Sequence, residues 1–123
     1  MKNTILIILL IFSFKSFSQN STKIEKLSQT EIKTFILTET KQGGKLDFFT
    51  EIKGKEYNAS QVKPGLFMTN IEMALYKWGK ANFDLGIENI ESALKIFEEF
   101  RGKELNIREK DLIPMGFRND LIK

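Results

Sequence analysis

Histidine and cysteine are both absent from the 123-residue chain. Their absence excludes His-based triads, thiolate nucleophiles, imidazole or thiolate metal sites and haem ligation by histidine. It also excludes disulfides, so packing alone must hold the fold. Proline occurs only at Pro64 and Pro114. No Walker A sequence, dinucleotide fingerprint, zinc-protease motif or EF-hand loop is present. Internal repeats are missing too: Ala93 and Phe97 match one element of a tetratricopeptide repeat, but Trp78, Leu85 and Gly86 fit no common register with them.

Long apolar runs are missing with one exception, Ile5 to Phe14. Lys2 precedes it, and Ser16-Phe17-Ser18 places small residues where signal peptidase needs them. Residues 1–18 therefore read as a secretory signal peptide cleaved before Gln19. Ten helical residues rise only about 15 Å, against a hydrocarbon core of about 30 Å, so a spanning anchor is the poorer reading. The expected location is secreted or periplasmic, without stable membrane insertion after leader cleavage.

Net charge is also small. The chain has 19 Lys+Arg and 16 Asp+Glu, a balance of +3. Lys2 and Lys15 fall in the leader, which holds no acid, so residues 19–123 carry 17 bases against 16 acids, or +1. That balance gives no electrostatic case for nucleic acid, and no basic cluster marks a membrane surface. Residues 19–123 suffice for one small globular domain.

The most consistent stretch is Met68 to Gly102, which reads as two antiparallel helices joined by a short break. Thr69 and Glu72 form a capping box, and Met68 with Met73 makes a hydrophobic staple. Ile71, Ala74, Leu75 and Trp78 follow on one face. Gly79 reads as the weak end of this helix, and Asp84 as the cap of the next. That second helix is expected from Leu85 to Arg101, closed by Gly102. Its apolar arc, from Ile87 through Ile90, Leu94 and Phe97 to Phe100, is wider than one neighbour needs. The preceding half of the chain must therefore pack on it.

In that half two readings compete for residues 32–52. Ser28 and Glu31 form a capping box that would open a helix through Ile32, Phe35 and Ile36. Against it, Thr34 to Thr40 and Leu46 to Ile52 are rich in β-formers around Gly43-Gly44, which suits a hairpin. The hairpin is the preferred expectation, with Glu56 to Val62 as a third strand and Tyr57 inward. Lys63-Pro64-Gly65-Leu66 is a type II turn. Asn106 with Glu109 opens a short last helix that Pro114 ends, and Phe117 and Leu121 dock the tail. The expected class is α+β: a small N-terminal antiparallel β-hairpin or meander packed on a C-terminal helical hairpin plus a short last helix. The alternative is all-α.

What remains for chemistry is carboxylate. Asp84, Glu88, Glu91 and Glu98 share one side of the second helix with Lys95. A hard cation or a paired-carboxylate glycosidase site needs such oxygens, but one exposed helix face is more simply solvated surface. Lys77-Trp78-Gly79-Lys80 alternates base and aromatic, yet Trp78 falls on the apolar face. The sequence names no catalytic, cofactor-binding or metal residue. The function expected is a small exported non-catalytic protein that binds another protein of the cell envelope, as an accessory, inhibitor or immunity-type module. The alternatives are a minimal carboxylate-based hydrolase of envelope glycans and a small apolar-ligand carrier.

Overall fold

A computed structural model describes residues 27–122. Residues 1–18, read as a signal peptide from the sequence, and the lead-in expected after them lie outside these residues. The order is α1 (Gln29–Thr40), β1 (Ala59–Lys63), β2 (Leu66–Thr69), α2 (Asn70–Leu85), α3 (Ile90–Arg101) and α4 (Ile107–Arg118). Among the described residues, one antiparallel two-stranded sheet and four helices make the fold α+β. Among the described residues no helix is long and apolar enough to cross a membrane.

Trp78, fully buried in the middle of α2, is the largest side chain of the core. Ile36 of α1, Phe97 of α3 and Ile113 of α4 are buried in the same cluster. The indole edge meets the Phe97 ring at 4.8 Å between centroids. The capping box at Thr69 and Glu72 is present, with Thr69 Oγ1 accepting from Glu72 N–H and Glu72 Oε1 from Thr69 N–H. α2 then runs past Gly79 and ends at Gly86, where φ is +105°. Asp84 lies within its last turn, and the cap of α3 is Asn89.

The close partner of α2 is α4 rather than α3. Gly79 and Gly116 explain why. A Cβ on Gly79 would collide with the carbonyl of Ile113, and one on Gly116 with the carbonyl of Tyr76. Each glycine thus lets the other helix's backbone approach as no side chain would. Pro114 does not stop α4, which continues to Arg118. Ile113, Gly116 and Phe117, all buried, keep that turn packed despite the lost N–H. Beyond the helix, Tyr76 Oη donates to Asn119 Oδ1 and accepts from Leu121 N–H, both at 3.0 Å.

The two strands expected over residues 34–40 and 46–52 do not form, whereas β1 overlaps the third strand expected at Glu56 to Val62. Residues 29–40 are helical, opened by the Ser28–Glu31 capping box. Ile32, Ile36 and Thr40 recur every four residues on its buried face. Thr34 and Thr40 return their hydroxyls to the carbonyls of Thr30 and Ile36, so the threonines that look like strand formers are satisfied inside a helix. Leu46 to Ile52 is a run of turns. The hairpin is β1–β2, closed by Pro64-Gly65 with Gly65 at φ +79°. Ala59 pairs with Thr69, Ser60 with Met68 and Gln61 with Phe67. Met68 is buried, while Phe67 on the opposite face is 63% exposed. Tyr57 precedes the strand and points outward, 72% exposed.

Candidate functional site

Residues 41–56 build one wall of a cleft of about 410 Å³. The wall is organised by Asp47. Its Oδ1 accepts from the backbone N–H groups of Phe49 and Thr50, at 3.1 and 3.0 Å. Its Oδ2 accepts from Gly43 N–H at 2.8 Å and from Thr50 Oγ1 at 2.5 Å. Partial burial works against the Asp47 charge, but the Thr50 hydroxyl and the three backbone donors outweigh it and hold the pKa below the ordinary aspartate value. Upstream, Glu39 anchors the same segment by accepting from Leu46 N–H and, through its carboxylate, from Lys45 N–H. Gly44 fits only because it has no side chain, since a Cβ would strike the Glu39 carbonyl.

The floor of the cleft is apolar: Phe49 and Ile52 from the wall, Ile71 and Leu75 from α2, Phe97 and Phe100 from α3. Phe97 sits between Phe49 and Phe100, each at 5.8 Å between centroids. At one end stand Arg101 of α3 and Glu109 of α4, joined as an ion pair. Glu109 is buried, and its other oxygen takes the Asn106 N–H as part of the α4 capping box. Lys53 and Glu56 stand on the rim. The Glu56 carboxyl is held below its usual range by its own N–H and that of Gly54, with help from Lys53.

Beside this cleft lies an apolar patch. The carbonyls of Glu56 and Asn58 accept from Ile71 and Asn70, which seats the approach to β1 against the start of α2. Tyr57, between them, carries the Arg108 guanidinium over its ring at 5.5 Å. Ile107, next to Arg108 in the first turn of α4, is 78% exposed.

The acids that the sequence offered are elsewhere. Asp84 pairs with Lys80 at 2.8 Å on the outside of α2, and Glu88 is exposed on the following loop. Neither lines the main cleft. Glu91, Glu98 and Lys95 share a shallower hollow of about 270 Å³ with Glu104 and Lys110, all of them exposed. Among the described residues no group of three or more acids is placed to hold a cation. Ser28 is spent as the α1 cap, and Ser60 is exposed on β1. Arg101, Glu109 and Asp47 were missed in the sequence. The local signals are Asp47 three residues before Thr50, a side-chain staple, and Glu109 three after Asn106, a spacing that by itself specifies only a helix cap.

The chain matches no family model, no curated protein and no solved structure.

Proposed function

We propose that the chain is a small exported, non-catalytic module that works by binding another protein of the cell envelope, with residues 1–18 as its export signal. The observation that carries this reading is the patch at the β1 approach and the start of α4. Tyr57 and Ile107 are among the most exposed large apolar side chains described, and Arg108 lies over Tyr57. Tyrosine and arginine are the residue types that dominate binding energy at protein interfaces. Phe67 adds a further exposed apolar side chain, on the outer face of the hairpin. The cleft acids support binding over hydrolysis, because Asp47 and Glu109 are engaged by donors of the protein itself, whereas an acid–base catalyst must reach its substrate's proton.

The test is capture from the envelope fraction of the source cells, comparing wild type with Tyr57→Ala/Phe67→Ser. A protein retained by wild type and lost by the variant, at unchanged melting temperature, supports the reading. A capture profile identical for the two proteins overturns it. Sequencing the exported chain from its N-terminus should return Gln19 first.

A further inference from the structure

Resting on that binding reading, we propose that the cleft receives the free C-terminus of the partner protein. Its last, apolar side chain lies on the Phe49–Phe97–Phe100 floor, and its carboxylate is held by Arg101.

All four lone-pair directions of the Asp47 carboxylate are occupied by Gly43, Phe49 and Thr50. Glu109 is buried between the Asn106 N–H and Arg101. Glu56 is turned onto the backbone N–H groups beside it. The carboxylates of the cleft are therefore committed within the protein. Its donors are not. Arg101 is about one-quarter exposed, and Glu109 is its ion-pair partner among the described residues. A guanidinium carries five N–H groups in a planar fork, so one edge remains after Glu109 is served. Glu109 also fixes the orientation of that fork, which favours bidentate recognition of a second carboxylate. Lys53 adds a second cation at the rim. A cleft with spare cationic donors and no spare carboxylate suits an anionic, acceptor-headed ligand, and the apolar floor requires an apolar body behind the head.

Two observations favour a chain end over a free fatty acid. The cleft lies open along Gln42, Thr50 and Lys53, all exposed, so a long alkyl chain would keep one flank in water, while a peptide needs cover only for its last side chain. The cleft also continues into the proposed interface, since Glu56 lines it and Tyr57 is the next residue. Its volume of about 410 Å³ lies within the usual range of about 300–1,000 Å³ for ligand sites.

The experiment uses residues 19–123 and four N-acetylated tetrapeptides, three alanines followed by leucine, isoleucine, phenylalanine or methionine. Each is supplied as the free acid and as the amide, and dodecanoate below its micellar concentration is the lipid arm. Trp78, the single tryptophan, touches Phe97 from behind the floor, so its emission reports occupancy, and calorimetry gives the affinity. At least one free acid should bind, with its amide about tenfold weaker, the factor a lost charge-assisted hydrogen bond brings. Arg101→Lys, which keeps the charge facing Glu109 but loses the fork, should weaken the acid and leave the amide unchanged. Phe100→Ala should weaken both. Equal binding of acid and amide, no binding by any peptide, or dodecanoate binding more tightly than every peptide would each overturn the inference. If the peptides fail while Tyr57 and Phe67 still decide partner capture, this inference falls and the binding reading stands.

Discussion

The indole Nε1 of Trp78 donates to Thr40 Oγ1 at 2.9 Å across the centre of the core, and both residues are fully buried. The same hydroxyl donates back to the Ile36 carbonyl. One oxygen therefore satisfies the only polar atom of the indole and fastens the end of α1 to the middle of α2. Thr40→Val keeps the shape and removes the acceptor. The expected loss is about 1–3 kcal/mol, the cost of a buried donor left unpaired. Urea unfolding followed by Trp78 emission measures it, and an unchanged midpoint would show that the bond contributes nothing.

At Gly79 and Gly116 two effects of opposite sign compete. Alanine inside a helix is favoured over glycine by about 1 kcal/mol. Overpacking a tight contact costs about 1–3 kcal/mol, occasionally more. The facing elements are the Ile113 and Tyr76 backbones, which cannot swing aside like side chains. Gly79→Ala and Gly116→Ala should both lower stability, whereas a raised melting temperature for either would mean that the helices stand farther apart than described.

Acid should act on the wall of the cleft through Asp47. A carboxyl whose pKa is lower folded than unfolded contributes stability that is fully present above the unfolded value, here 3.8, and is lost as pH falls through the lower folded value. Asp47→Asn should therefore melt earlier than wild type at neutral pH, and the gap should close as pH drops below 3.8. A gap that stays constant down to strong acid would remove the carboxylate from this role.

Glu109→Ala strips the partner from Arg101 and opens the α4 capping box in one step. Breaking a buried ion pair by removing one member costs about 3–5 kcal/mol, and the partial exposure of Arg101 places this pair toward the low end. Glu109→Gln keeps the cap and should recover part of the loss, as chemical denaturation of the two variants will show.

Much of this architecture was legible where the signal is local. Thr69 with Glu72, Asn106 with Glu109 and the Pro64-Gly65 turn all act within four residues, and all form as read. The Trp78 stripe was legible because helical periodicity reports a buried face. What failed is what depends on distant contacts. Thr34 to Thr40 carries β propensity, but burial of Ile36 and the Trp78–Thr40 bond make it helix. Gly79 and Pro114 read as breakers because a sequence does not say which helix will press against them. The cleft was invisible for the same reason: its wall closes through the Asp47 side chain, and its floor gathers three separate segments.

The pairing of α2 with α4 also orders events during synthesis. The face of α2 at Gly79 and Tyr76 meets its cover only when residues 107–118 have left the ribosome, more than twenty residues after α2 itself. Until then the nascent chain holds an oily helix without its mate. Shortened chains ending near Gly102 should accordingly clump or be degraded rather than accumulate as a smaller folded body.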